Sequence, residues 1–497
     1  MGGVAPHVMT ARCIMVLGTS SGAGKSWLTT ALCRWYARQG LKVAPFKAQN
    51  MSNNARVVAS DNGLGEIGSA QYFQALAARA QPHVQMNPLL LKPEADTRSQ
   101  VVLLGEGNTE LGRTPWRERS EKVWPAIAAS LDALMANNDV VVIEGAGSPA
   151  EINLMASDIV NLRVARHANA RCWLVSDIDR GGAFAHLYGT WALLPPADQQ
   201  RIHGFVLNKF RGDASLLAPA PEQLQALTGV PTVGVLPMWR EHGLPEEDGV
   251  FDDRSVASGA ITRTIAVVAY PRISNLDEFQ CLKNIPGVRL QWVRSPSQVQ
   301  ALQQHDWLIL PGSKNTSGDL AWLRQQGLDA AVTAHAAKGG AVLGICGGLQ
   351  MLGEALIDPY GVDGNAAGLG LLPLVTQFAL HKKVQHTKAQ FNQLKGPWSA
   401  LSGVQVSGYE IHHGQTQAHA GMQARGVEAT EVMQGLAWQN QSGNVLGCYV
   451  HGLFEEPKVV QALFGHLAPT LDTVMDGLAD FLEQHIPAET MRALIAD

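Results

Sequence analysis

The stretch Ala341-Val342-Leu343-Gly344-Ile345-Cys346-Gly347-Gly348-Leu349-Gln350-Met351 constrains the fold of this chain more than any other. An apolar run of strand type ends in Gly-x-Cys-x-Gly, and a helical pattern follows with no spacer. Such an elbow belongs at the end of a strand in an α/β sheet. Its glycines leave room for a cysteine lifted clear of the backbone, and the N–H that follows can face a developing oxyanion. The helix turns its positive end toward the sulfur, which favours thiolate. A buried cysteine is most often structural. Glycines on both sides, at a strand-to-helix junction, instead single out Cys346 as a nucleophile.

A nucleophilic cysteine needs a base. His451 ends the run Gly447-Cys448-Tyr449-Val450 and precedes Gly452, which makes it the first choice. His412 and His413 follow as alternative bases or as metal ligands, but no third ligand sits at a standard spacing. The strand Trp307-Leu308-Ile309-Leu310 runs into Pro311-Gly312-Ser313-Lys314-Asn315-Thr316, a loop able to offer a second oxyanion N–H.

The first half carries a different apparatus. Cys13 to Gly18 reads as a short apolar strand, followed by Thr19-Ser20-Ser21-Gly22-Ala23-Gly24-Lys25-Ser26 and a helix from Trp27 to Gln39. These are the parts of a phosphate-binding loop: backbone N–H groups cradle phosphate, Lys25 reaches the terminal phosphates and Ser26 can ligate Mg²⁺. Gly18, Thr19, Gly22 and Gly24 complete the predicted cradle. The first glycine stands at 18 where the usual spacing asks for 19. This shifted form resembles the dethiobiotin-synthetase-like branch of P-loop proteins, whose members often make acyl phosphates.

Further strands end in polar residues, as at the ligand edge of open α/β sheets. Val43 to Phe46 leads to Lys47-Ala48-Gln49-Asn50-Met51-Ser52, and Ile202 to Leu207 leads to Asn208; Lys47 and Asn208 are assigned to nucleotide binding. Val140 to Ile143 leads to Glu144-Gly145-Ala146-Gly147, with Glu144 at the position of a Mg²⁺-holding carboxylate. Glu66 is expected at the opening of a helix, as a capping carboxylate or a Mg²⁺ ligand, with Asp61 as the alternative for completing the metal site. Strands alternating with helices over 13–235 predict a doubly wound, mostly parallel sheet.

The chain has 497 residues, 46% of them apolar and 16% charged, which suits two or three globular domains. The expected division is a P-loop synthetase domain over 10–236, a linker over 237–263, a second α/β domain over 264–461 and a helical tail over 462–497. A net charge of -5 without a long basic run argues against nucleic acid and anionic membrane as partners. Six scattered cysteines without a CxxC pair suit a reducing compartment, and no signal-peptide pattern or bilayer-length apolar run is present. The expectation is a cytoplasmic protein.

Together the halves imply a chemistry. Cys346 can attack a carboxamide and release ammonia, while the P-loop half can phosphorylate a carboxylate and make it an electrophile for that ammonia. The sum is amidation driven by ATP and glutamine. Gly312, Ser313, Gly347 and Gln350 are then the expected oxyanion and glutamine pocket.

The chain resembles the cobyric acid synthase family along most of its length. The residues that carry this are Pro45 to Ser52, Glu66-Ile67-Gly68, Met86-Asn87-Pro88, Glu144 to Leu154, Leu310 to Thr316, Gly344 to Met351, Gly408 to His412 and His451-Gly452-Leu453-Phe454. The resemblance implies an N-terminal dethiobiotin-synthetase-like domain and a C-terminal class I glutamine amidotransferase-like domain. It implies ATP with Mg²⁺, and L-glutamine and adenosylcobyrinic acid a,c-diamide as substrates, amidated at the b, d, e and g side chains. It transfers the nucleophile to Cys346 and the base to His451. Many related glutaminases place a third triad member, Glu, two residues after the His; Leu453 stands there, so a Cys–His pair alone is expected, and Glu455 is given no role. The oligomeric state is left open, a homo-oligomer among the outcomes. The nearest rival is cobyrinic acid a,c-diamide synthase; from another class, a partitioning-type ATPase switch is disfavoured because Ser20 and Ser21 stand where such switches carry an extra lysine.

Overall fold

The computed structural model describes residues 11–95, 97–245, 260–465 and 470–496. Residues 246–259, within the expected linker, lie outside the described residues.

The first half is built on six parallel strands in the order Thr232–Pro237, Ile202–Phe210, Arg171–Asp177, Arg12–Gly18, Val140–Glu144 and Val43–Phe46. Strand side chains alternate between faces. Cys13, Met15 and Leu17 therefore enter one core layer, against Val123, Ile127 and Leu131 of the helix Trp116–Asn137. Ile14 and Val16 enter the other, against Leu28, Leu32 and Trp35 of the helix Lys25–Arg38. This is the doubly wound sheet expected from the sequence.

That second layer is closed by the C-terminus. Met475, Leu478, Ala479 and Leu482 recur at helical spacing along Leu471–His485 and pack into the same apolar layer. Arg34, fully buried, donates to Asp476 at 2.8 Å and to Asp472, one turn apart on that helix. Tyr36 Oη donates to the Met491 carbonyl at 2.6 Å. The tail is thus part of the first half's core, although nearly the whole second half separates them in sequence.

The second half holds a seven-stranded sheet in the order Val288–Val293, Arg263–Val268, Trp307–Leu310, Ala341–Ile345, Val445–Cys448, Ala437–Gln439 and Thr430–Met433. The first five strands are parallel and the last two antiparallel. A long hairpin, Leu374–Gln390 with Gln405–Ala418, stands beside it. A second hairpin, Ala55–Ser60 with Gly63–Gly68, reaches across from the first half. Ala55, Val57, Leu90 and Val102 bury themselves there against Tyr409 and Ile411, so the halves share an apolar cluster.

Two expectations change here. Glu66 lies inside the strand Gly63–Gly68, not at a helix opening; the helix begins at Ser69. The segment just after Pro237 is more than a linker, because Trp239, His242 and Leu244 line the large cavity described below. Among the described residues no helix is long and apolar enough to cross a membrane.

Candidate active site

Strand Ala341–Ile345 delivers Cys346 into the helix Gly347–Leu352, and the cysteine backbone has φ 51° and ψ -104°. For a side-chain-bearing residue this positive φ is strained, and the surroundings must hold it. They do so by close packing. A Cβ on Gly348 would collide with the Leu310 carbonyl, and one on Gly347 would stand 2.7 Å from the Ser313 nitrogen. The loop over 311–313 thus lies directly on the elbow, with the Ser313 nitrogen packed where a Gly347 side chain would stand. A Cβ on Gly312 would come 3.0 Å from His451 Cε1. The sequence-predicted Cys346, Gly312, Ser313, Gly347 and His451 are one cluster.

Around it, Ser313, Gln350 and His451 line a small cavity with Cys346. Gln350 is buried, accepts from Thr316 Oγ1 at 3.2 Å and donates to Tyr449 Oη at 3.4 Å. Cys346 Sγ donates to the Ile411 carbonyl at 3.8 Å and shares this cavity with His451. The His451 Nδ1 bonds Glu278 Oε1 at 3.1 Å, so Nε2 is the nitrogen left for the sulfur. Glu278 Oε2 accepts from the Gly452 N–H at 2.9 Å. Burial pulls the imidazole pKa down, but the Glu278 and Cys346 charges outweigh it and raise the value to about 10. At neutral pH His451 is therefore an imidazolium beside the cysteine.

His412 and His413 are otherwise engaged. His412 bonds Glu410 Oε2 at 3.0 Å and the Gly414 carbonyl at 2.7 Å, and stacks on Tyr449. His413 bonds the Ala379 carbonyl; burial, with Lys382 beside it, lowers its pKa to about 4. Neither holds the cysteine, and no cluster of three metal-ligating side chains occurs among the described residues.

In the first half, the loop after Arg12–Gly18 opens into a cavity of about 1590 Å³ lined by Gly22, Gly24, Lys25, Ser26, Lys47 and Glu144, with Asn208 on its flank. Lys25 Nζ donates to the Ser20 and Gly147 carbonyls at 3.0 and 3.1 Å. Glu144 is buried and accepts from Ser26 Oγ at 2.8 Å, Lys47 Nζ at 2.8 Å and Gln74 Nε2 at 2.5 Å. Burial opposes its charge, yet Lys47 and these hydrogen bonds hold its pKa below the usual carboxylate range. Asn208 Nδ2 donates to the Ala23 carbonyl at 2.9 Å and buttresses the loop.

Two family models match the chain: a CobQ/CobB/MinD/ParA nucleotide binding domain over residues 14–246 and a CobB/CobQ-like glutamine amidotransferase domain over residues 264–459. The chain is 73% identical to a cobyric acid synthase of Variovorax paradoxus over 98% of its own length and 100% of the relative's. It is 71% identical to one of Polaromonas naphthalenivorans, with the same coverage of both chains. The chain belongs to the cobyric acid synthase family. As a family member it is a glutamine-dependent amidoligase of cobalamin biosynthesis, with a nucleotide-binding half and an amidotransferase half. Among solved structures, PurLQS from Thermotoga maritima covers 41% of this chain and 98% of that one at 18% identity and a TM-score of 0.32, a likeness too slight to carry an argument.

For this cobyric acid synthase family member, the structure corrects several sequence expectations. Glu66 is not in the P-loop cavity. It lies between Lys92, at 2.7 Å, and Lys382 of the second half, at 2.6 Å. Burial disfavours its charge, but Lys382 and Lys92 together push its pKa far below the carboxylate range. Asp61 is exposed and faces His83 at 3.5 Å. Neither completes a Mg²⁺ site. Gly18 and Thr19 are not among the residues lining the cavity. Gly18 instead makes room for Lys25, since a Cβ there would sit 3.0 Å from the lysine Cδ, and Thr19 Oγ1 donates to Ser176 at 3.1 Å.

The expected Cys–His pair also has a third member. Glu278 sits in the turn Leu276–Asn284, on the far side of the elbow strand in sequence and 173 residues before His451. The spacing that puts a triad acid two residues after the histidine leads to Leu453 and away from Glu278. The available signal was the pair Asp277-Glu278 in an otherwise apolar turn, Leu276-Asp277-Glu278-Phe279, in which both acids are buried. Such acids need buried partners.

Proposed function

We propose that this chain amidates the b, d, e and g side-chain carboxylates of adenosylcobyrinic acid a,c-diamide, with nitrogen from glutamine and energy from ATP. The observation that carries the reading is the presence in one chain of a Cys346–His451–Glu278 pocket and a P-loop cavity, joined through a buried interface. Cys346 Sγ attacks the glutamine carboxamide carbon. The N–H groups of Gly347 and Ser313 receive the oxyanion. His451 gives its Nε2 proton to the departing ammonia, leaving a thioester that water cleaves to glutamate. Glu278 holds the imidazole in the productive orientation, as the acid of a triad does.

In the other half ATP is a co-substrate. Lys25 exchanges its two carbonyl partners for phosphate oxygens, and Lys47, beside Glu144, offsets charge on the group in transfer. The acceptor carboxylate becomes an acyl phosphate and ammonia displaces phosphate. Ser26 and Glu144 suit a Mg²⁺ ion: hydroxyl and ionised carboxylate meet at the cavity wall 2.8 Å apart. Held there, such an ion would offset charge on the phosphates.

Sheet order supports a direction for the two ligands. Glu144 and Lys47 follow strands on one side of the P-loop strand, whereas Asn208 and Pro237 follow strands on the other. The terminal phosphate then faces Glu144 and the nucleoside extends toward Asn208 and Trp239. That leaves the side with Gln49, Met51, Trp116 and Leu154 for the corrinoid. A volume near 1590 Å³ exceeds the roughly 300–1,000 Å³ of ordinary ligand pockets and leaves room for both. In this division, residues 10–236 with the tail 462–497 activate the carboxylate, and 264–461 release ammonia.

The test is Cys346→Ala. Glutamine-dependent amidation is lost and amidation with added ammonium is retained. A folded variant that ammonium does not rescue contradicts this division of labour.

A further inference from the structure

We propose that Arg56, a residue of the synthetase half, is a positioning residue of the glutaminase triad, so that the triad is complete only with the synthetase half docked. The proposal rests on the reading of Cys346, His451 and Glu278 given above.

Arg56 lies on the hairpin strand Ala55–Ser60 and is 2% exposed. Its guanidinium grips both oxygens of Glu455, at 2.9 and 2.6 Å, and also pairs with Asp277. Both partners adjoin the triad. Asp277 precedes Glu278, and Glu455 closes the turn Leu453–Glu455 that follows His451 and Gly452. The same guanidinium lies 5.1 Å from the centre of the Tyr409 ring, and that ring stacks on His451 at 5.3 Å and 21°. The His451 N–H donates to the Tyr409 carbonyl at 2.9 Å. Arg56 therefore touches three of the residues that frame the histidine, and its one neighbour in the wall of the P-loop cavity is an apolar ring, Phe73, at 5.0 Å.

The charge balance gives the reason. Asp277, Glu278 and Glu455 are three carboxylates in one buried region, and an unpaired buried carboxylate takes up a proton. Arg56 pairs with two of them and leaves Glu278 to His451. Its own charge is secure: burial works against it, but Asp277 and Glu455 hold the pKa well above the ordinary arginine value. The main chain is pinned alongside. Ala55 N–H donates to Asn275 Oδ1 at 3.0 Å, and Leu276 N–H donates to Asn54 Oδ1 at 2.9 Å. Synthetase residues 54–56 thus hold the start of the very turn that presents Glu278.

The test uses the full chain with Arg56→Met and Arg56→Lys, with Cys346→Ala as the control that establishes Cys346 as the nucleophile. In Arg56→Met the glutamine-dependent kcat falls roughly ten-fold or more, since small misplacement of a catalytic group is that costly, while the ammonium-dependent rate stays within about two-fold. The glutaminase pH profile also changes shape, because Arg56 no longer offsets the carboxylate charge beside Glu278. Equal loss of the glutamine- and ammonium-dependent rates, or no change in glutaminase rate and pH profile, overturns the proposal. Should Arg56→Met fail to fold, Arg56→Lys decides, because it keeps the charge without the fork. A selective fall of about three-fold or more in the glutamine-dependent rate supports positioning, and a wild-type rate overturns it. Glutaminase activity surviving in Cys346→Ala would instead contradict the underlying triad reading.

Discussion

Replacing Glu278 with Gln tests the account of the glutaminase most sharply, because the amide keeps the shape and removes the charge. In the native protein the imidazole pKa rises from 6.5 to about 10, which corresponds to roughly 5 kcal/mol in favour of the charged form. Burial acts the other way, and Glu278 is the largest source of that rise. In Glu278→Gln the His451 pKa therefore falls, with Cys346 left to raise it against burial. The Gln amide can also donate to Nδ1, which traps the proton on Nε2 in the wrong tautomer. In a serine-protease triad the equivalent change costs about 10⁴-fold in kcat, and a fall of roughly 10²–10⁴-fold is expected here. The assay is glutamate release from pH 6 to 10. In the native protein the alkaline limb lies near pH 10. In the variant it moves to lower pH. The sign for stability follows: the folded pKa is raised, so the pair's contribution is whole below the unfolded value of about 6.5 and is lost as pH rises through about 10. The melting-temperature gap between native protein and variant is thus widest near pH 6 and closes by pH 10. A variant with kcat within about three-fold of native and an unmoved alkaline limb would refute the reasoning.

Other outcomes follow from the same geometry. Glu144→Gln raises the Mg²⁺ concentration for half-maximal amidation by roughly ten-fold or more, whereas Glu66→Gln leaves it unchanged and lowers thermal stability, because Glu66 joins the two halves through Lys92 and Lys382. Gly348→Ala drives a methyl into the Leu310 carbonyl and destabilises the protein by about 3 kcal/mol, read from denaturant unfolding. Arg34→Met leaves Asp472 and Asp476 without their buried partner and loosens the tail helix, which shows as faster hydrogen exchange over 471–485.

Much of this architecture was legible in the sequence because it rests on local patterns. Strand, glycine loop and helix follow one another at Gly18–Ser26 and at Ala341–Met351, and each sequence yields the turn that the backbone adopts. Cys346, His451 and the Gly312 loop could be paired because each lies at the end of a strand, and parallel strands bring their ends together. What stayed hidden depends on contacts between distant segments. Glu66 looks like a metal ligand beside a P-loop until the hairpin carries it to Lys382, 316 residues away. The tail's apolar stripe reveals a helix but not the face it covers, which Arg34 selects through two aspartates. Glu278 escaped because a carboxylate can reach a histidine from either direction in sequence, and only the fold decides which.

The central claim is the identity of the acceptor. The direct measurement is mass spectrometry of adenosylcobyrinic acid a,c-diamide incubated with this protein, ATP, Mg²⁺ and glutamine. The account predicts four successive carboxylate-to-amide mass steps, all absent without ATP. An unchanged diamide, with amidation of cobyrinic acid itself, would contradict it.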